Sequence, residues 1–238
     1  MRTYGLHPDS IRELFNSVAP RYDFLNRLLS LRRDVYWRRR VVRELKGVEG
    51  RILDVATGTG DVAIEIIRQG DGRRSVAGLD FSVPMLQKAY GKLLKKGLLS
   101  TIRLSLGDAL HLPFHDNTFN ASIIAFGLRN IPDKEGALLE MTRVTKEGGR
   151  IIILEFTLPE RGPMRKVYPI YFMKILPRIG GLISGDRGAY AYLPESVFHF
   201  QSAEHYKHLM KKAGLKNVSA YGLTFGITSI IMGSKKDQ

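Results

Sequence analysis

The chain has 238 residues, 44% of them hydrophobic and 25% charged, which is enough for a sizeable core and ordinary for a globular protein. It contains no cysteine, so disulfides, thiolate metal sites and cysteine nucleophiles are excluded. Its 37 Lys and Arg against 23 Asp and Glu give a net charge of +14, which argues for an anionic partner surface, either nucleic acid or acidic lipid.

No apolar stretch approaches the roughly 18 residues needed to span a bilayer. Residues 1–9 lack the apolar core of a signal peptide, so a cytoplasmic protein is expected. Residues 10–46 carry helical periodicity and no strand pattern, with breaks near Pro20 and Leu31. Here Arg32, Arg33, Arg38, Arg39, Arg40, Arg43 and Lys46 interleave with Trp37, Val41, Val42 and Leu45. That is the pattern of a basic amphipathic helix, suited to an acidic membrane surface.

From residue 51 strands and helices alternate: strand 51–56, helix 60–69, strand 74–80, helix 82–96, strands 101–106 and 119–126, helix 133–145 and strand 149–156. The alternation predicts an α/β protein with a mostly parallel sheet covered on both faces. Gly148-Gly149 reads as the turn between the last helix and strand. Residues 160–200 are rich in Gly, Pro and aromatics and read as a helical cap insertion. A helix over 202–213, stopped by Gly214, precedes strands 215–222 and 226–233. The link between those strands is too short for a crossover, so they should pair antiparallel. The chain reads as one domain, 1–238, with an N-terminal helical segment over 1–46.

Residues 51–61, Arg-Ile-Leu-Asp-Val-Ala-Thr-Gly-Thr-Gly-Asp, run from a strand through a glycine-rich turn into a helix. Ligands bind at such sheet edges in α/β proteins. Gly58 to Ala63 satisfies the dinucleotide pattern G-x-G-x-x-A, with Asp80 about 20 residues on. Three features favour another ligand. Asp54 sits four residues before Gly58, where a carboxylate opposes a pyrophosphate and suits a cation. Asp108-Ala109 brings a further carboxylate to the same edge. The antiparallel C-terminal pair is foreign to a doubly wound dinucleotide domain. Three carboxylates with no basic residue in the turn suit a ligand with an ammonium, a sulfonium, a ribose diol and an exocyclic amine. S-adenosylmethionine carries all four.

The arrangement resembles the class I methyltransferases, whose sheet is Rossmann-like. The resemblance implies that Asp54 with Gly58, Thr59 and Gly60 holds the methionine end. It implies that Asp80 holds the ribose hydroxyls, and Asp108 with Ala109 the adenine end. A plain structural role for these acids is helix capping or loop solvation.

Residues 15–37 (FNSVAPRYDFLNRLLSLRRDVYW), 125–130 (AFGLRN) and 143–155 (RVTKEGGRIIILE), together with the loop at 52–61, are similar to the quinone C-methyltransferases of menaquinone and ubiquinone synthesis. The likeness extends to LPRIG at 176–180, Tyr192-Leu193 and Glu195-Ser196. Leu25 stands where the family commonly has Met, Asp34 where it has His, Glu147 where it has Pro, and Ala125 where a serine often contacts the cofactor.

The resemblance implies an acceptor that is a quinol ring with a membrane-embedded polyprenyl tail, naphthoquinol or benzoquinol. Carbon methylation requires a ring hydroxyl to lose its proton. Arg129 is the candidate for stabilising the phenolate, with Asn130 beside it. Tyr22 and Asp23 are expected to close over the cofactor, and Asp23 and Glu155 are the candidate bases. An ion pair of Arg129 with Asp133 or Glu155 is the plainer reading of that arginine. His111, His115, His205 and His208 read as solvated, with no metal site.

The expected partners are the quinol and an acidic membrane surface, with room left for a homodimer and no nucleic acid. The rivals are a methyltransferase acting on RNA or another small molecule, a nicotinamide-dependent oxidoreductase, and a non-catalytic membrane-binding module. Pyrimidine-carbon methylation usually needs a cysteine, and base-amine methylation an Asn/Asp-Pro-Pro-Tyr where Gly-Leu-Arg-Asn stands here.

Overall fold

In a computed structural model, residues 15–16, 19–159 and 201–236 are described. The cap over 160–200, with LPRIG, Tyr192-Leu193 and Glu195-Ser196, lies outside the described residues, as does most of the chain before Ala19.

Helices α1 (Tyr22–Leu29) and α2 (Arg33–Arg43) precede β1 (Gly50–Val55), α3 (Asp61–Arg68), β2 (Arg74–Asp80), α4 (Val83–Lys96) and β3 (Ile102–Leu106). Then come β4 (Phe119–Ala125), α5 (Lys134–Val144), β5 (Thr145–Phe156), α6 (Ala203–Lys212), β6 (Lys216–Leu223) and β7 (Thr228–Ser234). One seven-stranded sheet has the order β3-β2-β1-β4-β5-β7-β6. Its first five strands are parallel, and β7 is antiparallel to both β5 and β6. The expected class and the antiparallel C-terminal pair are both found.

β1 is buried from Ile52 to Val55, because a parallel strand inside such a sheet is covered on both faces. Alternate residues feed two cores. Ile52 packs with Trp37, Val41, Ile66 and Leu93 from α2, α3 and α4. Leu53 and Val55 pack with Leu138, Met141, Tyr206 and Met210 from α5 and α6. The central pair β1–β4 is where the chain turns outward in both directions, and it leaves a crevice beyond the carboxyl ends of its strands.

Two expectations are corrected. The strand expected from residue 149 begins at Thr145, and Gly148-Gly149 lies inside β5 rather than between helix and strand. There the β4–β5 register breaks between Phe119 and Ala121. A side chain at Gly149 would come within 2.6 Å of the Lys146 carbonyl, so only glycine fits that irregularity. Trp37, read as part of a lipid-facing helix, is instead 3% exposed. Its indole N–H donates to Thr224 Oγ1 at 2.8 Å and its ring packs edge-on to Phe156. The apolar face of α2 is spent on the core, and only its basic face remains outside.

Candidate functional site

β1 delivers its chain to the sheet edge at Ala56, which holds a left-handed φ of 53°. The turn follows, with Gly58 at φ 56° and Gly60 at φ 79° as the cap of α3. Left-handed backbone favours glycine there. Across the crevice, Phe126 follows β4 at φ 58°, another costly conformation for a bulky residue and one that clusters at ligand sites. Between these edges lies a cavity of 450 Å³.

Its wall includes Gly58, Asp80, Asp108, Ala109, Tyr22 and Asn130, which the sequence singled out. Phe81 and Phe126, which it did not, also line the cavity. Phe15 meets both Tyr22 and Phe81 edge-on at 6.3 Å, so three aromatic rings enclose one side. None of the described residues lining the cavity is Lys, Arg or His.

Asp80 is the carboxylate most firmly built in. It accepts the Gly58 N–H at 2.7 Å and the Ser82 N–H at 2.9 Å, so it clasps the glycine turn to the start of α4. Burial raises its pKa, while the N–H donors of Ser82, Gly58 and Phe81 oppose the rise. Asp108 stands exposed on the far side, accepting the Leu110 N–H at 2.9 Å, with His111 Nδ1 3.6 Å away.

Asp54 lies beneath the turn rather than on the cavity wall. It is 1% exposed and accepts the Thr57 hydroxyl at 2.5 Å. Burial pushes its pKa up to about 7, and the charge of Asp80 adds to the rise. Hydrogen bonds from Thr57 and the Ala63 N–H, and the charge of Arg38, act the other way. Thr59 is also buried behind the wall, where its hydroxyl donates to Asp23 Oδ1 at 2.6 Å. Asp23 Oδ2 is 2.8 Å from the Lys92 ammonium.

Arg129 does not line the cavity. Its guanidinium bonds Glu155 Oε1 at 2.6 Å and the Phe126 carbonyl at 2.7 Å, and it stacks over the Phe156 ring. Glu155 is fully buried and also accepts N–H bonds from Arg129 and Phe156. The ion pair read as an alternative for Arg129 is thus formed with Glu155, while Asp133 caps α5 through the Gly136 N–H. Asp34, where the family commonly has His, is buried between Arg38 at 2.5 Å and Arg27 at 3.3 Å. Phe81 and Phe126 were legible only as neighbours of Asp80 and Gly127. Lys92 carries no signal in the sequence.

The donor set suits the expected cofactor. A cavity with two carboxylates on its wall, a third beneath it and no cationic side chain among the described residues lining it favours a positively charged ligand over a pyrophosphate. Gly58 has open space where a side chain would project, which leaves room for a ligand against the backbone.

Comparison with known proteins gives the same direction. Residues 4–235 match the ubiE/COQ5 methyltransferase family. The chain is 45% identical over 228 residues to the ubiquinone/menaquinone biosynthesis C-methyltransferase UbiE of Geobacter sulfurreducens, covering 95% of this chain and 89% of that protein. It is 48% identical over 223 residues to the demethylmenaquinone methyltransferase of Thermus thermophilus, covering 93% and 100%. The fold is similar to a SAM dependent methyltransferase from Aquifex aeolicus, with a TM-score of 0.60 and 20% identity over 82% of this chain and 88% of that one.

Proposed function

Because the chain belongs to the ubiE/COQ5 methyltransferase family, we propose that it transfers a methyl group from S-adenosylmethionine to a ring carbon of a polyprenyl quinol. The acceptor is demethylmenaquinol, the equivalent 2-polyprenyl-6-methoxy-benzoquinol, or both. The observation that carries this reading is the identity of 45–48% to the Geobacter and Thermus enzymes across nearly the whole chain.

Gly58, Thr59 and Gly60 take the methionine end, with Asp54 beneath them supplying negative charge. Asp80 takes the ribose hydroxyls, and Asp108 with Ala109 the adenine end. When bound, the cofactor supplies an electrophilic methyl group on a sulfonium. The acceptor ring lies against Tyr22, Phe126 and Asn130. Loss of a proton from a ring hydroxyl places negative charge on the neighbouring carbon, which would take the methyl as the carbon–sulfur bond breaks and the donor leaves as a neutral thioether. The methylated carbon would then lose its hydrogen as a proton, and the ring oxygen would take one proton back to restore the quinol. The Phe15, Phe81 and Phe126 rings keep water out while opposite charges cancel, which favours reaction.

Arg129 stabilises the phenolate from just behind the wall. Glu155 has its oxygens taken by three donors, so it orients Arg129. Asp23, held by two donors and partly exposed, is the carboxylate assigned to accept the proton.

The acceptor's tail places this chemistry at the inner face of an acidic membrane. No helix among the described residues is long and apolar enough to cross one. Support for a peripheral mode comes from α1 and the turn after it, where Phe24, Leu28 and Leu31 stand exposed at i, i+4 and i+7. Exposed Arg32 and Arg33 flank this stripe, and exposed Arg39, Arg43 and Lys46 continue the basic face along α2 and beyond it. A homodimer, also part of this reading, is checked by sedimentation equilibrium.

The deciding experiment supplies methyl-labelled S-adenosylmethionine with extracted quinols or total RNA as acceptor. Label in the quinol fraction supports the reading; label in RNA alone overturns it. Calorimetric binding of S-adenosylmethionine but not NADH is expected alongside.

A further inference from the structure

The hold on α1 is polar rather than apolar. Of its eight residues only Leu25 is buried, while its outer stripe is exposed. Leu25 and the half-buried Leu29 are little apolar anchorage for a helix that brings Tyr22 to the cavity wall. What fastens it comes from α4.

The Lys92 ammonium is 2.8 Å from Asp23 Oδ2, 2.9 Å from Thr59 Oγ1 and 2.6 Å from Asp61 Oδ1. Three acceptors therefore meet the three N–H donors of one lysine. They come from three elements: the first turn of α1, the glycine turn and the start of α3. Thr59 donates in turn to Asp23, so its hydroxyl is satisfied on both sides. One helical turn earlier, Lys88 donates to the Pro20 carbonyl at 2.5 Å, gripping the chain just before α1. Arg27 closes the other end, reaching Asp61 at 3.0 Å and Asp34 at 3.3 Å. Without Lys92, Asp23 and Asp61 would share only the Arg27 cation, and the tie of α1 to the turn would rest on the Thr59–Asp23 hydrogen bond.

We propose that Lys92 is a positioning residue that clamps α1 to the glycine turn through Asp23, so that Tyr22 is held at the wall of the cofactor cavity. The clamp joins the cofactor side of the site to its acceptor side, since the same ammonium fixes Thr59 and Asp23. This role rests on the cofactor assignment given above, but the geometry of the clamp does not.

The absence of native cysteines permits a clean test. Nitroxide labels at Leu31→Cys and Leu139→Cys, both exposed, report the position of α1 against the sheet by pulsed electron resonance. The labelled parent should give a narrow distance distribution and Lys92→Met a broad or shifted one. Lys92→Met should weaken S-adenosylhomocysteine binding about tenfold, as expected for one lost charged tie. It should also lower kcat, with melting within a few degrees of the parent because the two cores are untouched. Lys92→Arg, whose donors lie in one plane at a greater reach than a compact ammonium, should give only partial rescue. Should Lys92→Met fail to fold, Asp23→Asn removes one tie and should broaden the same distribution. An unchanged distribution in the folded variant overturns the proposal, whatever happens to activity. Failure of the parent to bind S-adenosylhomocysteine would sink the cofactor assignment alone and leave the distance measurement standing.

Discussion

Gly127 approaches Ala56 so closely that a methyl group added at 127 would sit 2.6 Å from the Ala56 side chain. Ala56 follows β1 and Gly127 lies just beyond β4, so this contact sets how near the two sides of the crevice stand. Gly127→Ala must push them apart. The overpacking should cost about 1–3 kcal/mol and weaken cofactor binding, read by urea titration and calorimetry on the same preparation. Unchanged affinity would show that the width of the crevice there is not critical.

Asp54 should couple cofactor binding to protons. Burial raises its pKa to about 7, so below that pH the free protein holds it neutral. A cationic ligand favours the carboxylate. Binding should therefore release protons at pH 6 and few at pH 8, and affinity should rise with pH before levelling above about 7. Calorimetry in buffers of different ionisation enthalpy measures the release directly. Asp54→Asn should abolish both effects.

The Asp61 cluster should stabilise the fold with a contribution that is lost in acid. Burial alone would raise the Asp61 pKa, but Arg38, Lys92 and Arg27 hold it down at about 2. A carboxylate whose folded pKa is depressed contributes stability above its unfolded pKa, near 3.8, and loses it as pH falls from about 4 to 2. The contribution is about 2 kcal/mol. Asp61→Asn should be less stable than the parent in urea at pH 6, with the gap closing toward pH 2.

Arg129→Ala should do more than slow turnover. It strands the fully buried Glu155 without its cation, at a cost of about 3–5 kcal/mol. The double variant Arg129→Met with Glu155→Leu removes both charges and should recover much of the stability but none of the turnover. Equal recovery of both would remove Arg129 from the chemistry.

Membrane binding should depend on α1 more than on Trp37. Leu28→Glu with Leu31→Glu should abolish co-sedimentation with acidic vesicles. Arg39→Glu with Arg43→Glu should weaken it in a salt-dependent way, by about 1 kcal/mol for each charge removed near the surface. Binding that ignores α1, or salt, counts against the peripheral mode.

The strand ends were legible because their residues announce themselves locally. Asp80 ends an apolar run, and Gly58 and Gly60 occupy left-handed positions that few other residues tolerate. The Trp37 helix was misread for the reciprocal reason. A basic amphipathic pattern specifies that one face is apolar, not whether lipid or the rest of the chain covers it, and here Phe126, Phe156 and Thr224 do. The β5 start was misread because a bulge carries the same glycines as a turn.

By itself the sequence determined the α/β class, the order of its elements, the ligand edge and the family, since hydrophobic period, glycine position and motif identity are properties of consecutive residues. The tertiary structure alone decided which charges meet. Arg129 and Glu155 are 26 positions apart, Thr59 and Asp23 36, and Lys92 and Asp61 31. A hydrogen bond is a matter of a few ångströms in space, and separations of that size along the chain say nothing about it until the sheet has closed.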